Sequence, residues 1–522
     1  MGAEWSTAPF GQIQRPAWQQ ERDAISIATE DYAAPAQWHG SRTEASRSDA
    51  SGTWGRRYDS ILLAVVAQDR VCGAQMFGRL LLSLSALGVG TALAYAQPSP
   101  QRPLPEACQA ASAEALPELE KRRQSLERDV ARQTAAVERT SKDKDGRSGA
   151  DARAKELHQG LRARQEDLLE VLFRIECIRA QPEPESRSPF KRRPSDAIEV
   201  TTYYATNRKQ TGSAEPAKVY GGVFESTLHY GRAVVSIPPN HALGKLELPS
   251  LWKVERNVDP TKHFVLKAVI PLSADAGLKE MAQRLSGMSS KALLIFVHGY
   301  NMGFAEAALR TAQMAHDLNF PGMALFYSWP SVNRIRSYWQ DEEIARLSEG
   351  VFEQLIDELS QLPATDIYIV AHSMGNRIVG HALQARADKG KETKNLKELL
   401  LAAADINADV FRTIIAPKLA AMQGTRTTLY ASSSDIALKA SKVMHGFRRA
   451  GETTGGVVIY PGIETIDASS ASAALRGFGH FYVVDSPSVM KDIRSIIERR
   501  GPAKMRGLSE VGTSPNVHWR LP

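Results

Sequence analysis

Three kinds of hydrophobic patterning follow one another along the chain. Residues 1–75 show no sustained period: Trp5, Trp18, Trp38 and Trp54 stand alone in polar surroundings, and no fold is assigned to them. Residues 97–181 carry apolar positions in alternating steps of three and four. The first run is Leu119, Leu126, Val130 and Val137, interrupted by Arg123 and Gln133; the second is Leu161, Leu168, Val171, Ile175 and Ile178, interrupted by Arg164. That spacing lays one stripe along each of two helices. The polar run Ser141–Gly149 breaks the period between them, so the segment predicts an antiparallel coiled-coil hairpin. A linker rich in Pro and Arg occupies 182–196.

From 197 to 499 the punctuation changes. Short apolar runs alternate with amphipathic helical stretches, which predicts an α/β domain with a mostly parallel sheet and helices on both faces. Strands are expected at 292–298, 323–327, 366–371, 398–404, 426–431 and 457–460. Helices are expected at 304–319, 342–362, 374–387 and 408–422, with leading antiparallel strands at 200–206, 233–237 and 264–270. Residues 500–522 read as a flexible tail.

Composition narrows the class. At 522 residues the chain is too long for one ordinary domain. Its 43% hydrophobic and 24% charged residues are those of globular proteins and exclude wholesale disorder. No window is apolar over the roughly 18 residues of a bilayer span, so a polytopic membrane protein is excluded and the mature chain is expected to lack a transmembrane span. The net charge is +7, but the basic residues are scattered and form no aromatic-interleaved stripe, so no nucleic-acid partner is expected. Three cysteines are too few for a disulfide scaffold or a thiolate zinc cluster. Neither metal nor cofactor is expected.

One segment reads as an address. Residues 76–96 contain Arg79, an apolar core from Leu80 to Leu93, and the small-residue ending Ala94-Tyr95-Ala96, the order of parts in a secretory signal peptide. Such signals begin at amino termini, so Met76 is expected to be the start, with 1–75 an overrun, and Gln97 the first mature residue. The location is then periplasmic or secreted. Cys108 and Cys177 stand nearly equally far from the hairpin turn, which in an oxidising compartment permits a disulfide. The hairpin is expected to act as a spacer or to contact a protein partner.

The chemistry is concentrated in Ala371-His372-Ser373-Met374-Gly375, between an apolar strand and a helix. A strand–serine–helix turn this tight needs small residues two positions either side of the nucleophile. Taken alone, Ser373 would read as a helix N-cap. A second feature changes that: Phe296-Val297-His298-Gly299-Tyr300-Asn301 ends an earlier strand. A glycine turn there can aim the Tyr300 N–H at the serine, where with the Met374 N–H it would form an oxyanion hole. Of the histidines beyond Ser373, His381 falls on the elbow helix, His445 precedes the last strand and His518 lies in the tail. His480 is left as the base. For the acid, Asp435 is preferred, Asp405 is the main rival and Asp467 the third choice.

These motifs resemble the alpha/beta-hydrolase superfamily, and within it a bacterial family of esterase/lipase-like hydrolases. The stretches that carry the resemblance are Tyr203–Arg208, Phe296–Asn301, Phe326–Ser331, Ala371–Arg377, Ala404–Ile406, Leu429-Tyr430 with Ser434-Asp435, and Gly479-His480. They cover the catalytic domain and not the hairpin. The resemblance implies a Ser373–Asp435–His480 triad and metal-free hydrolysis of a small-molecule or lipid ester through an acyl-enzyme. A thioesterase or amidase would use the same triad, and an exported scaffold with a residual hydrolase domain is the alternative from another class. Few residues separate Ala404 from the next strand, so a shallow site is expected, walled by Trp329, Tyr338 and Trp339.

Overall fold

The six residues Ala292–Val297 are apolar without exception, and all six are buried. A strand covered on both faces needs helices above and below it, and the chain supplies them. The computed structural model describes residues 116–142, 150–179, 197–249, 258–473, 480–499 and 501–521. The unassigned segment 1–75, the signal segment 76–96, the linker 182–196, Cys108 and the Cys177 side chain lie outside what is described.

The strands are β1 (Ile198–Gln210), β2 (Tyr220–Ile237), β3 (Val265–Leu272), β4 (Ala292–Val297), β5 (Met323–Ser328), β6 (Asp366–His372), β7 (Leu396–Ala402), β8 (Arg426–Ala431), β9 (Ile463–Asp467), β10 (Ser509–Thr513) and β11 (Asn516–Arg520). They form one sheet in the order β10-β11-β9-β8-β7-β6-β4-β5-β1-β2-β3. β4 to β9 run parallel, while β1–β2–β3 form an antiparallel extension joined to β5 through a parallel β1.

The longer helices are α1 (Leu116–Lys142), α2 (Ala150–Arg179), α3 (Ala274–Gly287), α4 (Phe304–Asp317), α5 (Tyr338–Leu359), α6 (Gly375–Asp388), α7 (Ile436–His445) and α8 (Pro487–Arg499). Alternation along each strand sorts the core into two layers. Leu293, Ile295 and Val297 of β4 pack with α3, α5 and α6; Leu294 and Phe296 point the other way, to α4 and α8. The mostly parallel sheet and the helical hairpin are therefore as the patterning predicts.

Four expectations need correction. The strand expected at 457–460 is instead Ile463–Asp467. Gly462, at φ +87°, turns the chain after Val457–Tyr460, and that stretch runs alongside β9, its Val458 carbonyl accepting from Thr465 Oγ1 at 2.8 Å. Residues 500–522 are no flexible tail: β10 and β11 pair antiparallel, and β11 joins the sheet edge through Trp519 opposite Ile466. The helix expected over 408–422 runs over 408–420 and carries a π-helical turn at Phe411–Ile415, before Pro417. The helix expected from 342 begins at Tyr338.

The hairpin seam holds Leu119, Leu126 and Val130 of α1 against Leu168, Val171 and Ile175 of α2. Arg164, expected on that seam, is exposed, and the buried neighbour is Gln165. The reason is a second contact face. Gln165 donates to the Met444 carbonyl at 2.5 Å, Leu169 packs on the main core, and Arg336 pairs with Glu170 at 2.7 Å and Asp167 at 3.3 Å. α2 is thus shared between its partner helix and the catalytic domain. Among the described residues, no helix is long and apolar enough to cross a membrane.

Candidate active site

Ser373 follows the last residue of β6, whose Ala371 lies opposite Val297 of β4 and Leu401 of β7. This is the carboxyl end of the parallel strands, where open α/β sheets place their ligands. Ser373 has φ +53°, a left-handed conformation that costs a non-glycine residue energy and marks a turn held for a purpose. The neighbours show how tight it is. A Cβ on Gly375 would stand 2.4 Å from the His298 carbonyl oxygen, and one on Gly299 would stand 2.6 Å from Ser373 Cβ. Asn376 locks the turn by donating from Nδ2 to the carbonyls of Ser373 and Ala402, both at 2.9 Å.

The close approach of Gly299 brings the turn that carries Tyr300 against Ser373. Met374 is the N-cap of α6, so its N–H belongs to the first turn of a helix, where amides lack intrahelical partners. The Tyr300 hydroxyl donates to the Arg334 carbonyl at 3.2 Å, tying the turn to the segment after β5.

His480 Nδ1–H donates to both carboxylate oxygens of Asp435, at 2.8 and 2.9 Å. Asp435 is fully buried and also accepts the Leu438 N–H at 3.0 Å, so one carboxylate caps α7 and orients the imidazole. The two rivals are committed elsewhere. Asp405 lies between Arg449 (3.3 Å) and Arg377 (3.6 Å) and accepts from Ser441 Oγ and the Tyr338 hydroxyl. Those cations hold its carboxyl far below the usual carboxylate range against the upward pull of burial. Asp467 accepts the Ser469 N–H at 3.0 Å and pairs with Arg520 at 3.4 Å. Among the histidines set aside, His445 donates from Nδ1 to the Ser441 carbonyl and holds Nε2 against Glu342, and His518 lies on β11. Among the described residues no hydrogen bond joins Ser373 Oγ to His480; such contacts are commonly long without substrate and tighten when it binds.

The expected aromatic wall is not one. Trp329 is wholly buried, stacked on His298 with centroids 5.2 Å apart and donating to its carbonyl at 2.7 Å. Tyr338 is buried in the Asp405 network. Only Trp339 is partly exposed, and Arg162 of α2 lies 5.4 Å from its ring centroid.

Beneath the Gly299–Tyr300 turn lies a polar cluster whose individual roles sequence reasoning missed. Arg208 is buried and donates to Ser328 Oγ (2.8 Å) and to the carbonyls of Met302 (2.8 Å), Gly221 (3.0 Å) and Ser331 (3.0 Å). His298 donates from Nδ1 to the Gly299 carbonyl at 2.8 Å, and burial beside Arg208 pushes its pKa down to about 3, so it is neutral. Asp341 accepts from Ser331 Oγ and from the N–H groups of Val332 (2.7 Å) and Asn301 (3.4 Å). Its desolvation raises the carboxyl to about 6. Together these groups tie the turns after β4 and β5 to β1. The signal was present in Tyr203–Arg208, a run that carries a charged residue within a strand, but nothing in the spacing tells a buried arginine from an exposed one.

A strained serine after the central strand, a buried His–Asp pair and the strand order define an alpha/beta hydrolase. Residues 273–500 match the family described as "Alpha/beta hydrolase of unknown function (DUF900)". A solved structure titled "Phospholipase PlaB from Legionella pneumophila" is similar at 11% identity over 44% of this chain and 68% of that chain, with a TM-score of 0.22. A likeness so faint says nothing of this chain's substrate. Among curated proteins, no match is found.

Proposed function

We propose that this chain is a serine hydrolase that cleaves carboxylic esters through an acyl-enzyme. The observation that carries the reading is the Asp435–His480 contact at 2.8 Å, placed by the fold at the sheet end that holds the strained Ser373. Because Asp435 accepts from Nδ1–H, the Nε2 lone pair of His480 is left to take the serine proton. Ser373 Oγ attacks the carbonyl carbon, and the N–H groups of Tyr300 and Met374 hold the oxyanion. His480 returns the proton to the leaving alcohol, and water, activated by the same imidazole, releases the acid. Ser373→Ala in the purified chain, assayed on short-chain aryl esters, should leave no activity above the uncatalysed rate while the protein stays folded. Activity like the parent's would overturn the assignment. Matched oxygen ester, thioester and amide substrates compared by kcat/KM then settle the bond cleaved.

We propose further that the protein is exported, since residues 76–96 present charge, apolar core and cleavage site in signal order. Export would place Cys108 and Cys177 where they can be oxidised.

A further inference from the structure

We propose that His372, the residue before the nucleophile, is a positioning residue that sets the catalytic base by hydrogen-bonding its main chain. The inference rests on the Ser373–His480 reading above.

His372 is the last residue of β6, 1% exposed, and its Nε2 lies 2.9 Å from the His480 carbonyl oxygen. A carbonyl only accepts, so Nε2 must carry the proton. Nδ1 is then a bare lone pair, and it is buried without a hydrogen-bond partner. A Cβ added to Gly299 would stand 3.0 Å from it, so the unprotonated edge faces the oxyanion turn. Burial, with His480 close by, drives the His372 pKa well below the ordinary histidine value, which keeps the ring neutral and in this one tautomer.

The ring is also clamped. Phe481 stacks on it at 4.5 Å and 23°, and the Arg310 guanidinium lies 4.8 Å from the Phe481 centroid. Arg310 is in turn held by Asp485 at 2.5 Å, and Tyr482 donates to the Tyr430 carbonyl at 2.8 Å. The chain from 480 to 485 is thus fastened at its carbonyl, its ring and its two following side chains. Among the described residues, the hydrogen bonds made at residue 480 itself are those of His372 and Asp435. One side chain therefore connects nucleophile, oxyanion turn and base: its backbone leads into Ser373, its Nδ1 edge rests on Gly299, and its Nε2–H fixes the His480 main chain.

Glutamine and methionine fill similar volume at position 372, but only glutamine has an Nε2 donor at comparable reach. His372→Met should lower kcat on an aryl ester by about 100-fold, the cost of misplacing a reacting group by about an ångström, with KM little changed. His372→Gln should recover most of that loss. Equal kcat in the two variants, or parental kcat in His372→Met, overturns the proposal. Nitrogen-15 NMR of the imidazoles in the unmutated chain is decisive even if both variants misfold. It should show the His372 proton on Nε2 at neutral pH, and a proton on Nδ1 overturns the proposal. Ser373→Ala run alongside keeps the two claims apart. Activity surviving that change refutes the triad, whereas its loss together with equal Gln and Met variants refutes only the role of His372.

Discussion

Exchanging Asp435 and Asp405 for asparagine, one at a time, should damage the protein in opposite ways. Asp435 does two jobs with one carboxylate: it accepts the Leu438 N–H as the cap of α7 and the Nδ1–H of His480. Asparagine caps a helix about as well as aspartate, so Asp435→Asn should barely move the thermal midpoint. It cannot hold the imidazole in the Nδ1–H tautomer, because its amide offers a donor where the ring needs an acceptor. The comparable change in a serine-protease triad costs about 10⁴ in kcat, and a loss of that order is expected here. Asp405 carries the opposite load. It is buried between Arg377 and Arg449 and makes no contact with His480. Removing its charge leaves the buried Arg449 guanidinium without the carboxylate it pairs with, while Arg377 keeps Glu342; breaking such a buried pair costs about 3–5 kcal/mol. Asp405→Asn should therefore lower the thermal midpoint by several degrees or more while the folded fraction keeps a kcat within about tenfold of the parent. Thermal melts and active-site-titrated ester hydrolysis on both variants make the comparison. A larger kcat loss at Asp405 than at Asp435 would refute the assignment of the acid.

Three further outcomes follow from other parts of the structure. Gly375→Ala should abolish activity and lower stability, since its Cβ would stand 2.4 Å from the His298 carbonyl oxygen in a turn with no slack; normal activity would show that the elbow can open. Asp341 holds its proton up to about pH 6, whereas the unfolded chain releases it near pH 4, so this group costs stability as pH rises through that window. Asp341→Asn should flatten the fall in thermal midpoint between pH 4 and 6, and an unchanged slope would show that the carboxyl titrates normally. Intact-mass analysis of exported protein, with and without reductant, should find Gln97 as the first residue and Cys108 joined to Cys177; a start well upstream, or two thiols alkylated without reduction, would refute the respective claim.

The parts of the site legible in the sequence are those that local covalent geometry dictates. The elbow needs small residues around Ser373, and the strand before it is unbroken apolar, so both show in a single window. His480 emerged because few histidines follow the serine. Asp435 is preferred over Asp405 on the sequence, but both follow strands and precede helices; it is the His480 contact of Asp435 and the packing of Arg377 and Arg449 around Asp405 that distinguish them in the structure. The strand expected at 457–460 was misplaced for a related reason. Val457–Tyr460 has the stronger β-forming composition, yet it is Ile463–Asp467 that pairs with β8, and its mixed Ile-Glu-Thr-Ile-Asp order shows no strand period in the sequence. Trp329 and Tyr338 looked like site walls because aromatic side chains line pockets and fill cores alike. Arg208 is the reverse case, a charge drawn inward by three carbonyls and a serine that come from distant segments.

The central claim is that Ser373 is a nucleophile activated by its surroundings, and covalent labelling tests it most directly. Incubating the purified chain with a fluorophosphonate and mapping the adduct by peptide mass should place one modification on Ser373, lost in Ser373→Ala and strongly slowed in His480→Ala. No adduct on the folded protein, or an adduct on another residue that persists in Ser373→Ala, would contradict it.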